Sequence, residues 1–576
     1  MKLFFKRHWK TILIFGCLFV LFFLNAFHEK YPDEFDSIVG GRYIDMGLLQ
    51  YRDWFQHHQP GAYVMASLIL PFTGISFVRF RVGWALAIFV INALGYAMLS
   101  KRFPAKNLTF YLVMLFTIAL AGTYFWWQML LADSLAAYLL LPAFALLFMK
   151  DYYEEKFDRV DLMLVGGFAF LSWFTSMTYI YIVAAISAYA IFLYASRRAR
   201  RTSFWKTALT GTGILAVPYV LFALWLLVTG SLKDWYFASV YYNSAYYIYN
   251  YPHAPGQMVN PIRYAVVIFN EFVNNYMLAL GGVTGLPITN PGQVTFAFSS
   301  FAAILLVIFT GRWTFLFPLL ITLVYSNARS NPQSIRETDY QSAVYVMTSM
   351  FNGLFTLSVL KELVDSKKLK VSGTILASAL MLLLTIYWIA TPMFYAQRMM
   401  QKYYDKYMGK APLIYDRPQV TNYVNAIIDK GDMAWVGPFA FEELFYLKTT
   451  RIPSKYHWFL QFAQDTKIGP GLVADMTKNL PKVIVFQRNY APWGGDASTF
   501  NSFFRKFLDQ YYFRVFTYNE TLPDINYKWK IGNTINYDLD GDFNFDKRYQ
   551  KQIIDKLLSL GYIEAVPKHK EITNKK

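Results

Sequence analysis

Long apolar runs, separated by short loops in which lysine and arginine collect, constrain this chain more than any other feature. Hydrophobic residues make up 55% of its 576 positions and aromatic ones 19%, with a mean hydropathy of +0.26. An ordinary soluble domain is less apolar than that. The first run, from about Thr11 to Phe27, is long enough to cross a bilayer. Comparable runs follow at about 76–99, 108–127, 134–149, 207–229, 294–310, 313–326, 343–360 and 371–390. The segment 161–195 holds too much apolar sequence for one helix and breaks at TSMT, which predicts two more. The total is about eleven transmembrane helices. Residues 61–74 and 264–285 are apolar but short or polar-marked, and read as helices lying in the interface.

The formal net charge of +18 would suit nucleic acid. The basic residues, however, cluster at the ends of the apolar runs, as orientation signals do, and nucleic acid is excluded as a partner. Lys2, Lys6, Arg7 and Lys10 precede the first run and predict a cytoplasmic N-terminus. No small-residue cleavage site follows that run, so it reads as a retained anchor rather than a signal peptide. Loops 101–106, 197–206 and 361–370 are then cytoplasmic, and the expected location is the cell membrane, multi-pass, with lipids on every side. The single cysteine, Cys17, excludes a disulfide framework and a cysteine metal site.

Between the first and second runs lies YPDEFDSIVGGRYIDMGLLQYRDWFQHHQP, residues 31–60. Its acids and bases stand beside hydrocarbon, where desolvation is costly, so they are expected to line a polar cavity at the membrane face. Asp33-Glu34 is the central pair. One carboxylate would take a proton from an acceptor hydroxyl, and its neighbour would raise its pKa or share a metal. The plain structural alternative is that the pair sits on the first turn of a helix, where acids suit the dipole. Asp133 stands between two apolar runs and has the same two readings, a functional acid or a helix cap. His57-His58-Gln59-Pro60 offers imidazole donors to a phosphate, or is a wet loop before a proline-started helix. Arg329 and Arg336 lie in an outer loop, where topology disfavours positive charge. Guanidinium suits a phosphate or diphosphate, and lipid head groups are the alternative contact.

Beyond about residue 397 the chain turns charged and is broken by glycine and proline. PQVTNYVNAIIDK has a helical rhythm, and DMAWV, KVIVF and FRVFTY read as short strands. The expected domains are residues 1–396, transmembrane, and 397–576, a small extracytoplasmic α/β domain with a disordered tail from VPKHK onward. NYDLDGDFNFDK, residues 536–547, has calcium-loop spacing but ends on Lys547 where a bidentate glutamate is needed, and reads as an acidic surface turn.

The 31–60 stretch resembles the first outer loop of GT-C glycosyltransferases, among them bacterial enzymes similar to the 4-amino-4-deoxyarabinose lipid A transferase and to protein O-mannosyltransferases. The matching elements are Asp33-Glu34, then Asp53-Trp54, then His57-His58-Gln59-Pro60, with Asp133 as the second outer acid. Relatives often carry lysine before the proline, whereas this chain has Gln59. The resemblance implies a GT-C fold with interfacial helices in the first outer loop. It implies a polyprenyl-phosphate-linked sugar as donor and inverting transfer to an extracytoplasmic glycan, lipid or protein. Asp33, Glu34 and Asp133 would be catalytic, and His57, His58, Arg329 and Arg336 would bind the donor phosphate. No cofactor is implied with certainty; a divalent cation, if used, would be held by Asp33, Glu34 and Asp133. The rival expectations are a lipid-linked sugar transporter and a non-catalytic lipid-glycan scaffold.

Overall fold

A computed structural model describes residues 2–197, 203–247, 261–284, 301–302, 304–312, 315–328, 340–407, 414–457, 467–487, 497–515 and 526–566. The expected tail disorder, the arginines Arg329 and Arg336, and much of the segments that follow the 207–229 and 313–326 runs lie outside them. The apolar runs fold as helices, because in hydrocarbon every backbone polar group must be satisfied within its own segment. Five of the described helices are long and apolar enough to cross a membrane: Phe77–Ser100, Ala132–Tyr152, Met177–Ser196, Phe204–Val228 and Tyr340–Asp365. The expected count of about eleven is not reached among the described residues. The other runs make shorter apolar helices, such as Trp9–Asn25, Gly61–Thr73 and Ala105–Ala121, or fall partly outside them. The run at 108–127 shows why. Its α-helix stops at Ala121, and a 3-10 turn follows at Gly122–Phe125. Thirteen α-helical residues rise only about 20 Å, short of the hydrocarbon thickness.

Contacts divide the chain into two units. The first is Met1–Ser37, His58–Thr229 and Gly256–Tyr415; the second is Ile38–His57, Gly230–Pro255 and Asp416–Lys576. This partition differs from a single boundary at 396/397, a position that lies inside one continuous helix, Val371–Tyr407.

The first unit is built around Ala132–Tyr152, where every residue from Asp133 to Tyr152 is buried. It packs against Phe77–Ser100, Arg159–Thr175 and Ala343–Asp365. Phe144 and Phe148 meet Phe351 with ring centroids 5.6 and 5.7 Å apart, and Phe351 stacks on Phe355 at 5.5 Å. Such rings dominate the dispersion and burial energy of the seam. Gly95 lets Phe77–Ser100 approach closely, since a Cβ there would fall 3.1 Å from Pro142. Polar groups collect at both ends of the central helix. At its C-terminal end Arg102 pairs with Asp161 at 2.7 Å, Lys150 with Glu155 at 3.1 Å, Arg197 with Asp151 at 3.1 Å and Arg312 with Glu154 at 2.9 Å. At its N-terminal end stands Asp133. Asp151 lies eighteen positions after Asp133, a rise of about 27 Å, close to the thickness of a hydrocarbon core.

Among its described residues the second unit carries two small sheets, in keeping with the expected alternation of helix and strand. β1 (Ala434–Gly437) runs parallel to β2 (Val483–Phe486). β2 pairs antiparallel with β5 (Phe543–Asp546), and β5 with β3 (Tyr512–Phe513), giving the order β1-β2-β5-β3. β4 (Asn526–Trp529) and β6 (Ile563–Val566) form a separate antiparallel pair. The DMAWV and KVIVF segments supply β1 and β2, whereas FRVFTY contributes only Phe513 to β3, and its last three residues lie outside the described ones. The 536–547 segment is a helical turn, Leu539–Asp542, followed by β5. Asp542 accepts from the Asp538 backbone N–H, Asp538 from that of Asp540, and Asp546 pairs with Arg548.

Arg42 holds residues 38–57 within this unit. Its guanidinium donates to the carbonyls of Leu444 and Phe445, orphan acceptors in the last turn of helix Phe441–Tyr446, and to those of Leu447 and Thr449 just beyond it. Beside it, His457 Nδ1 lies 2.7 Å from the Ser454 carbonyl and must donate to it. Nε2 is therefore the acceptor, and the Tyr43 hydroxyl donates to it at 2.7 Å. Burial pushes the imidazole down from 6.5 to about 4, against the opposing pull of the Ser454 carbonyl. The folded chain thus keeps His457 neutral where the unfolded chain protonates it. The stability this confers is complete above about pH 6.5 and is lost as pH falls toward 4, a change of about 3 kcal/mol. Thermal unfolding of the full-length protein should show this slope, and His457→Gln should flatten it. An unchanged slope in the variant would refute the assignment.

Candidate active site

The segment after the first apolar run does not run as a loop. Pro32 opens a helix, Pro32–Asp45, with its φ already set for a first helical position. Asp33 and Glu34 lie on the first turn, as the dipole reading expects, and Arg42 on the last. One turn of helix then sends the two acids into different surroundings.

Glu34 is fully buried. Arg81, itself fully buried on the first turns of Phe77–Ser100, pairs with it at 2.5 Å. The Leu130 backbone N–H also points to the same carboxylate at 3.4 Å. Arg81 further donates to the carbonyls of His28 and Glu29, at 3.2 and 3.1 Å. Burial pushes the Glu34 carboxyl upward, and Arg81 opposes that shift. A buried pair of this kind fixes position; its separated charges would be very costly.

Asp33 is half-buried and accepts a 2.5 Å hydrogen bond from the Tyr340 hydroxyl. Tyr340 opens the long helix ending at Asp365. Its ring lies 5.7 Å from Tyr31, and Tyr31 lies 5.8 Å from Trp126. Trp126 adopts φ 59°, ψ 24°, a left-handed conformation that is a genuine outlier for so bulky a side chain. Asp36, one turn further along, accepts from the Tyr63 hydroxyl at 2.8 Å.

Asp133 is buried in the first turn of the central helix and accepts a hydrogen bond from the Tyr179 hydroxyl. It does not cap that helix. Leu131 occupies the cap position, and the Ser134 hydroxyl accepts from its N–H at 3.3 Å. Because Leu130 meets Glu34, the start of the central helix stands against the Asp33-Glu34 turn within the first unit.

The remaining expected residues are placed differently. His57 is buried in the second unit, its ring 6.2 Å from Tyr242 and its carbonyl held by the Asn243 amide at 3.0 Å. His58, half-buried, belongs to the first unit. Arg329 and Arg336 lie outside the described residues. Among the described residues no group of three or more His, Cys, Asp or Glu is arranged to hold a metal ion. The set of Asp33, Glu34 and Asp133 named for a divalent cation is therefore not assembled as a metal centre. Each of the three is engaged instead with a separate donor: Tyr340, Arg81 and Tyr179.

Reading the sequence missed Arg81, Tyr340 and Trp126. Arg81 left a usable signal, since with Arg79 it is one of two charges at the start of an apolar helix, and a charge there marks a functional or paired position by default. Tyr340 left none, since one tyrosine among 44 in the chain gives no hint of a partner 307 positions away.

Among the described residues the architecture is that of a mostly helical chain with five helices able to cross a membrane, polar clusters at the ends of its central helix, and a C-terminal region bearing two small sheets. No protein-family model matches the sequence, and no curated protein matches it closely enough to count as a relative.

Proposed function

We propose that this protein is an integral membrane glycosyltransferase of the GT-C type. It moves a monosaccharide from a polyprenyl-phosphate donor to an extracytoplasmic glycan, lipid or protein, with inversion. The observation that carries the reading is the division of labour on one helical turn. Asp33 is half-buried and hydrogen-bonded by a phenol, while Glu34 is locked by Arg81. That contrast supports giving the reaction to Asp33 and the frame to Glu34.

The acceptor hydroxyl oxygen attacks the anomeric carbon. The carbon–oxygen bond to phosphate breaks, and polyprenyl phosphate departs with the electron pair. The hydroxyl proton passes to Asp33. Phosphate is a good leaving group, so one essential carboxylate suffices, unlike the two that glycoside hydrolysis requires. In this account Asp133, held by Tyr179, supports the site electrostatically. His57, His58, Arg329 and Arg336 remain the proposed contacts of the donor phosphate, whose charge grows in the transition state.

The cations Arg102, Lys150, Arg197 and Arg312 gather at one end of the central helix, which supports a cytoplasmic assignment for that end and an outer one for Asp133. A transporter would instead want acidic or basic groups near the bilayer midplane, where the buried stretch from Leu135 to Met149 carries no Asp, Glu, Lys, Arg or His. Deleting the gene should remove a single sugar substituent from an envelope glycan, lipid or protein and leave its unmodified acceptor to accumulate, as read by mass spectrometry. An envelope unchanged in every such component would overturn the proposal.

A further inference from the structure

We infer that Tyr31 and Trp126 form an aromatic platform that stacks the apolar face of a pyranose ring beside Asp33, with Tyr340 as the positioning residue for that carboxylate. The inference rests on the transferase reading for its place in a reaction, and deepens it by naming where the sugar lies. Three observations converge. Tyr31 is 39% exposed, and Trp126 and Asp33 are half-buried, so rings and acid are all reachable from outside. Tyr31 bridges Trp126 and Tyr340 at 5.8 and 5.7 Å, each with the planes inclined at 53°. Rings inclined in this way turn their faces in different directions instead of closing on one another as a flat stack. Trp126 is presented there by a left-handed backbone at φ 59°, and strained conformations of this kind persist where a site is over-determined.

The chemistry selects the ligand. A pyranose carries an array of axial C–H bonds on one face and hydroxyls around its rim. The electron-rich face of an aromatic ring attracts those polarised C–H groups. A carboxylate at the edge accepts from a rim hydroxyl in a short charge-assisted bond. Two aromatic faces beside one carboxylate thus fit a neutral sugar ring better than an acyl chain, which has nothing to give Asp33. They also fit it better than a second anion, which Asp33 would repel.

The test is saturation-transfer-difference NMR on the full-length protein in nanodiscs, with the methyl pyranosides of glucose, galactose, mannose and arabinose as probes. Ring C–H protons of at least one pyranoside should be saturated, those of one face most strongly. Tyr31→Ala and Trp126→Leu should each reduce that signal at least fivefold. Tyr31→Phe, which keeps the ring, should retain it and shows that the fold survives substitution there. No saturation of any probe, or a signal indifferent to both ring deletions, would overturn the platform. The transferase reading is judged separately by donor turnover. Turnover with a ring-indifferent signal would sink the platform alone, and a ring-dependent signal without turnover would sink the transferase alone.

Discussion

Asp33→Asn is expected to lower sugar transfer by at least about a hundredfold, the low end of what a positioned general base contributes. The substitution is nearly isosteric. The Tyr340 hydroxyl that donates to Asp33 Oδ2 at 2.5 Å still finds an acceptor in the asparagine carbonyl, so local geometry should persist. What is lost is the capacity to take up the acceptor's proton. Insertion, thermal stability and donor binding should therefore remain near wild type while turnover collapses, the pattern of an interaction made only in the transition state. Asp36→Asn is the control. Asp36 sits one turn along the same helix, and its partner is Tyr63 rather than Tyr340. It should cost far less. Equal losses at the two positions would point to a general dependence on helix charge, not to a base.

Arg81→Met should destabilise the first unit by about 3–5 kcal/mol, the usual penalty for stranding one member of a buried ion pair. Glu34 is fully buried 2.5 Å from Arg81. Without the guanidinium the carboxylate must protonate or drag water inward. Arg81 also releases the carbonyls of His28 and Glu29, which leaves the chain just before the Asp33-Glu34 turn unpinned. Adding Glu34→Leu to Arg81→Met should recover much of the loss, because a well-packed apolar pair replaces a buried ionic one at little or no cost. Thermal-shift measurements on the purified full-length protein separate these cases. A double variant as unstable as Arg81→Met alone would mean that the arginine acts through packing or its carbonyl contacts, not through Glu34. The result would also bear on Glu34 as a second catalytic acid, since a stable but inactive double variant would keep that role open.

The sequence was most legible where one physical rule dominates. Apolar periodicity located Phe77–Ser100, Ala132–Tyr152 and the hairpin broken at Ser176 within a few residues, because hydrocarbon leaves helices as the one local solution. The strands at Ala434–Gly437 and Val483–Phe486 were visible as short apolar runs between turns. The long-range pairings were not legible. Nothing local in 38–57 says that Arg42 will cap a helix some 400 positions away, so those residues read as part of the outer loop of a membrane domain. The Tyr-rich segment after Val228 reads as loop, yet Tyr236–Tyr247 winds as a π-helix whose Tyr242 is buried against Phe55. At the candidate site, Asp33-Glu34 and Asp133 stood out because acids next to apolar runs are expensive. Which of the adjacent acids is buried was decided by Arg81, on a different helix.

The most direct measurement is donor consumption by the purified protein in proteoliposomes supplied with polyprenyl-phosphate-linked monosaccharides and an envelope extract as acceptor. The account predicts release of polyprenyl phosphate matched by a new glycosidic bond of inverted anomeric configuration, with both lost in Asp33→Asn. Consumption that persists in Asp33→Asn, a product of retained configuration, or no consumption of any donor by the wild-type protein would contradict it.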